Sequence, residues 1–157
     1  TVCEVITVTE VAGTVDFSNN ELRYPTSNFA IMFGAYSNSA NIVISNNIIA
    51  GKDTYGTAGI YVRNGAKDTT INIEHNYIYG MAGNCLDFKT SNAGSVYNVQ
   101  YNYFDSATSF KITNVGSGTV NYINNYYAGT QTTTTSDYGV ITSVDKLEEA
   151  YAAYIAG

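Results

Sequence analysis

One asparagine returns five times in the same local context, and few folds can satisfy that. Residues 15–23 (VDFSNNELR), 42–50 (IVISNNIIA), 71–79 (INIEHNYIY), 97–105 (YNVQYNYFD) and 120–128 (VNYINNYYA) align without gaps. Asn20, Asn47, Asn76, Asn102 and Asn125 share one slot, at steps of 27, 29, 26 and 23 residues. A fixed period of this length marks a repeat architecture. The repeats also alternate. One column is Val15, Ile42, Ile71, Tyr97 and Val120, and the next is Phe17, Ile44, Ile73, Val99 and Tyr122. Beyond the asparagine comes a third: Leu22, Ile49, Ile78, Phe104 and Tyr127. Period-two alternation is the strand signal, and its change of phase across the asparagine marks a corner.

After each corner the pattern predicts another strand: residues 30–34 (AIMFG), 59–63 (GIYVR), 85–89 (CLDFK) and 109–113 (SFKIT). No helical period lies between these strands, so βαβ units are excluded. One repeat then makes one coil of a solenoid, and equivalent strands of successive coils pair in parallel ~4.8 Å apart. The expected class is all-β: a short solenoid of about five coils, one for each aligned segment. The recurrent asparagine has a physical role in such a stack. Its amide bonds the amides above and below and satisfies backbone groups at the corner. A buried amide without partners costs ~1–3 kcal/mol, so the column is useful only if it is continuous.

The pattern N-h-x-I-x-x-N-x-h followed by G-h-x-h, as in Asn41 to Asn47 with Gly59 to Val62, resembles the right-handed parallel β-helix repeat. That pectate-lyase-like superfamily holds pectate lyases, other polysaccharide-active enzymes, phage tailspikes and surface adhesins. The resemblance covers residues 15–128 and implies a right-handed coil and an asparagine ladder. It says less about activity, because one fold hosts many functions.

The ends read differently from the body. Residues 1–14 form an N-terminal strand or arm, 15–128 the parallel β-helix, 129–141 a Thr-rich loop and 142–157 a C-terminal helix. In that helix Leu147, Ala150, Tyr151, Tyr154 and Ile155 form one apolar stripe, expected to cover the last coil or to pack along the side. Thr142 or Ser143 is the expected N-cap, with Asp145, Glu148 and Glu149 near the positive helix start. The β-branched start (TVCEVITVTE) makes either a partial first coil or a strand that adds to a neighbouring chain. Thr1 in place of Met reads as a processed or excised chain. Cys3 and Cys85 are the two thiols. A bridge within one chain, a bridge between chains and two unbridged thiols all remain open.

Composition narrows the function. Seven Lys and Arg stand against thirteen Asp and Glu, a net charge of −6, and no basic run serves a nucleic acid. No apolar tract is long enough to span a membrane as a helix. One His and two Cys supply no usual zinc set. Low charge with 15 Tyr, 18 Asn and 19 Thr suits an extracellular or cell-surface protein.

Three groups of residues carry possible chemistry. Met32, Tyr61, Asp87 and Lys111 are expected in one outward column and Arg63 and Lys89 in the next. Arg63, Lys89, Lys111 and Asp87 are weak catalytic candidates. They form either a small anion site for a uronic acid or a surface ion-pair cluster worth little. The resemblance implies that a lyase of this kind would hold Ca²⁺ with several carboxylates, and only Asp87 is expected on this face. No other cofactor is expected. Tyr77, Tyr103 and Tyr126 share another outward column behind Ile48. They form a platform for sugar rings, or a packing ladder, or a lateral interface. His75 reads as an exposed turn residue. The expected function is a structural or adhesive extracellular protein that self-associates by end-to-end or edge-strand contacts, with a self-stacking filament subunit as one form of it. The alternative is an acidic-polysaccharide lyase or carbohydrate-binding module with glycan partners.

Overall fold

The structure is a computed structural model that describes residues 6–9, 12–23, 29–33, 39–52, 58–62, 68–88, 94–106, 118–128 and 139–157. They form a parallel β-solenoid with one C-terminal helix. Level 1 consists of β2 (Gly13–Ser18), β3 (Glu21–Arg23) and β4 (Phe29–Phe33). Level 2 consists of β5 (Ala40–Ser45), β6 (Ile48–Ala50) and β7 (Ala58–Val62), and level 3 of β8 (Thr70–Glu74), β9 (Tyr77–Met81) and β10 (Asn84–Phe88). Level 4 shows β11 (Val96–Gln100) and β12 (Tyr103–Ser106), and level 5 shows β13 (Thr119–Ile123) and β14 (Tyr126–Tyr127). β1 (Ile6–Val8) pairs with β4 and lies one level before it. Residues 6–8 thus add one strand at a level before level 1.

Three turns, levels 1 to 3, have all three strands among the described residues, against the five coils expected. Levels 4 and 5 show two strands each, and the predicted strand over 109–113 lies outside the described residues. The coil is also three-sided. The residues beyond each asparagine do not merely round a corner but form a sheet of their own, in the order β14-β12-β9-β6-β3. The other two sheets run β13-β11-β8-β5-β2 and β1-β4-β7-β10.

Every strand pair among the described residues is parallel and the columns stay in register: Val15 pairs Ile42, Ile42 pairs Ile71, Tyr97 pairs Ile71 and Val120. The inward residues make one core. Ile42, Ile44, Ile49, Ile71, Ile73, Ile78, Tyr97, Val99 and Phe104 are all 0 % exposed. A register slip of one residue would turn these columns out to solvent, so the alternation itself enforces the stacking.

The sheet β1-β4-β7-β10 is different. Its strands FAIMF, AGIYV and NCLDF are buried on both faces, as near-continuous apolar runs imply. Met32, Tyr61 and Asp87, expected to point outward into solvent, are 8 %, 8 % and 4 % exposed. Met32, Ala58 and Tyr61 form a second small cluster with Phe29, whose ring stacks on Tyr61 at 4.0 Å and 5°.

The helix α1 (Val144–Ala156) starts at Ser143, whose side chain accepts from Lys146 N at 3.2 Å. Leu147 of its stripe is fully buried, whereas Tyr154 and Ile155 are 48 % and 65 % exposed.

Candidate functional site

The asparagine column is a continuous ladder. Each Oδ1 accepts from both the backbone N–H and the Nδ2 of the previous asparagine. Asn47 so receives Asn20 at 2.9 and 3.1 Å, and Asn76 receives Asn47 at 3.1 and 2.9 Å. Asn102 receives Asn76 at 2.9 and 3.0 Å, and Asn125 receives Asn102 at 3.0 Å twice. Each Nδ2 also donates back to a strand carbonyl one level earlier: Phe17, Ile44, Ile73 and Val99 in turn. Asn47, Asn76, Asn102 and Asn125 are at most 1 % exposed. The low dielectric there strengthens each bond and makes any gap costly.

The residue before each asparagine takes the left-handed conformation that turns the corner: Asn19, Asn46, His75, Tyr101 and Asn124, with φ from 49° to 61°. Asparagine accepts this region readily, whereas other L-residues pay about 1–2 kcal/mol. Two levels depart from asparagine, and there α1 docks. The His75 ring stacks under Tyr151 at 3.8 Å and 13°, and the Tyr101 ring stacks on Tyr154 at 4.9 Å and 25°. His75 Nδ1 lies 2.8 Å from Asn46 Oδ1, and its Nε2 lies 3.2 Å from both Glu148 carboxylate oxygens. Tyr151 donates to Asn46 Oδ1 at 3.3 Å, and Gln100 Nε2 donates to the Tyr154 hydroxyl at 3.3 Å. The helix thus packs along the side, over levels 2 to 4. His75 is not the exposed turn residue expected: its side chain is 18 % exposed.

Ile48, Tyr77, Tyr103 and Tyr126 share one outward column by register. The Tyr77 and Tyr103 rings stack at 5.3 Å and 13°, and Tyr103 and Tyr126 lie at 5.5 Å and 33°. The Tyr77 hydroxyl donates to Glu148. Burial raises its pKa well above the ordinary tyrosine value, and Glu148 adds to the shift. Tyr103 is raised by burial and by Asp105, and Tyr151 by burial against an opposing Asn46 bond. The Tyr77 and Tyr103 rings thus lie face to face, with Tyr126 tilted against Tyr103. Ile48 is shorter than the tyrosines above it. It leaves a notch of about 230 Å³ lined by Asn46, Asn47, Ile48, His75 and Tyr77.

A second amide ladder escaped the sequence reading. Asn121 donates to Asn98 at 2.8 Å, Asn98 to Asn72 at 2.8 Å and Asn72 to Asn41 at 3.2 Å. Its signal is the earlier asparagine in INIEHN, YNVQYN and VNYINN, which falls in register on the outer face of the sheet β13-β11-β8-β5-β2.

The two ends of the buried ladder are finished differently. Beyond level 5 the described residues resume with Gly139, Val140 and Ile141. Val140 pairs in parallel with Asn125, and Gly139 has φ 57°. These residues repeat the corner a sixth time, within the stretch expected to be the Thr-rich loop. Val140 occupies the asparagine slot but carries no amide, so Asn125 N–H donates to Gly139 O at 2.7 Å instead. A Cβ at position 139 would meet Tyr122 O at 2.6 Å, so only glycine fits. At the other end no described residue donates to Asn20 Oδ1.

Of the four candidate catalytic residues, Arg63, Lys89 and Lys111 lie outside the described residues. Asp87 is buried rather than part of an exposed ion-pair face. Cys85 is buried in the core and its thiol donates to Ile78 O at 3.5 Å; Cys3 lies outside the described residues. Among the described residues no cluster of three or more His, Cys, Asp or Glu is placed to hold a metal ion. No helix there is long and apolar enough to cross a membrane. Comparison of the chain with protein families, curated proteins and solved structures finds no match.

Proposed function

We propose that this chain is an extracellular structural or adhesive β-solenoid that self-associates through its coil ends, a filament-forming relative of the pectate-lyase-like parallel β-helices. The observation that carries this reading is the contrast between ends and middle. Val15, Phe17 and Leu22 at level 1, and Val120, Tyr122 and Tyr127 at level 5, belong to the core columns yet are only partly buried. A solenoid whose end levels show apolar surface and strand edges is an association surface. The surface chemistry supports the same reading. Amide and tyrosine ladders occupy the outward columns, and the one carboxylate of the expected anion site is buried.

Negative-stain microscopy and sedimentation across protein concentration test the proposal. Linear particles that lengthen with concentration are the expected result, and monomers at every concentration and salt would overturn it. Protease shaving of intact producing cells tests the location: release of the chain is expected, and full protection would remove the extracellular part.

A glycan-binding role is the second reading, favoured by the notch beside Ile48 and Tyr77. That notch is bounded by Ile48 and the Tyr77 and His75 rings, an almost wholly apolar lining against which a sugar face could rest. Calorimetry with neutral and acidic oligosaccharides checks it, and loss of binding in Tyr77→Ala is the expected signature. Absence of heat with either class would eliminate it.

A further inference from the structure

We infer that copies stack head to tail, with the corner Gly139–Val140–Ile141 of one copy seated against the Asn20 corner of the next. This rests on the self-association proposed above and specifies its polarity and its atoms. The two ends present complementary sets of hydrogen-bonding groups.

Between adjacent levels the corner makes three repeated bonds. The left-handed residue donates to the strand carbonyl of the next level, as His75 N–H does to Gln100 O at 3.1 Å. The asparagine N–H donates to the next asparagine Oδ1, as Asn76 does to Asn102 at 2.9 Å. The residue after the next asparagine donates back, as Tyr103 N–H does to Asn76 O at 2.9 Å. At the carboxyl end the same geometry aims Gly139 N–H, Val140 N–H and Val140 C=O out of the stack. At the amino end it aims Ser18 C=O, Asn20 Oδ1 and Glu21 N–H out of the stack.

Two donors and one acceptor therefore face two acceptors and one donor, in the order the ladder requires. Val140 N–H of one copy supplies the hydrogen bond that Asn20 Oδ1 lacks among the described residues. An amino end meeting another amino end would set acceptors against acceptors. Shape agrees with the count. β1 protrudes one level below β2 and β3 on the sheet β1-β4-β7-β10, and residues 139–141 protrude one level above β14 at the corner. These two described protrusions occupy different sides of a coil.

Disulfide trapping tests the polarity. In the stack Ile141 and Glu21 of neighbouring copies share the outward column of Ile48 and Tyr77, about 4.8 Å apart, within disulfide reach. In a Cys3→Ser background, a mixture of chains carrying Ile141→Cys and Glu21→Cys is expected to give the mixed disulfide dimer under mild oxidation. Neither variant alone is expected to dimerise. Dimers of Glu21→Cys with itself, or assemblies without the mixed disulfide, would overturn the polarity but leave self-association standing. Absence of any assembly in the parent chain would overturn both. Val140→Asn provides a second readout that does not depend on cysteine. It restores an amide to the sixth ladder position and is expected to lower the concentration for half-assembly by roughly 2- to 10-fold. An unchanged or higher concentration would count against the junction.

Discussion

Levels 2 to 4 and the two end levels carry the same sequence pattern, yet they do not have the same burial. Ile42, Ile71 and Tyr97 are 0 % exposed, while Val15 and Val120 in the same column are only partly covered. The alternation in VDFSNN and VNYINN is as good as in IVISNN. What differs is the neighbour count: a middle level has a coil on each side, and an end level has a full coil on one. Burial in a solenoid is a property of the stack rather than of the repeat. Fully burying one such side chain is worth about 1.5–3 kcal/mol, so each open end forfeits a share of its three core columns.

The sharpest way to break the comparison is to remove an amide from each region. Asn76→Leu in the middle should cost on the order of 3–5 kcal/mol, because it strands several buried donors and acceptors at once. Asn20→Leu at the edge should cost about 1 kcal/mol, since one side of its ladder faces no described coil. Urea unfolding of both variants measures the difference, and equal costs would refute the idea that ladder continuity matters. Core truncation should give the next largest contrast. Ile73→Ala is expected to lose about 2–5 kcal/mol by cavity formation, and Val15→Ala clearly less, both read from the same titration.

Alkaline pH should separate the helix-covered side from the rest. The phenols of Tyr77, Tyr103 and Tyr151 are all held above the ordinary tyrosine value, burial being the first cause in each. The folded state therefore holds these protons more tightly than the unfolded chain does. Their contribution is whole below about pH 10 and declines as the pH rises beyond it. Thermal melts between pH 8 and 11.5 should stay flat and then fall, and Tyr77→Phe should reduce the fall. The smallest effect is Ser143→Ala, which removes the helix cap at a cost of about 1 kcal/mol. Faster hydrogen exchange in α1, with levels 2 to 4 unchanged, is the expected signature.

Much of this arrangement was legible in advance. The slot of the asparagines, the three inward columns and the tyrosine column depend on spacing alone, and in-register stacking converts spacing directly into contact. A cap at Thr142 or Ser143 was legible for a similar reason, because capping is local chemistry, and the structure selects Ser143. The buried face of Asp87 was missed because AIMFG and GIYVR were read as alternating. Their near-continuous apolar runs were the signal for a sheet covered on both sides. The sixth corner was hidden because Val140 stands where the ladder asparagine should be, so no motif marked it. His75 reads as a turn residue in the sequence, and Tyr101 carries no signal there, because the role of both depends on a helix more than forty positions away.

The sequence alone determined that this chain winds into stacked parallel coils, because a period of 23 to 29 residues and a two-residue alternation leave no other way to bury those columns. Only the tertiary structure decided where α1 lies, that the ladder ends on Gly139 O, and which polar groups the two ends present. Those depend on contacts between segments that share no pattern, and a repeat can specify only the contacts it makes with its own copies.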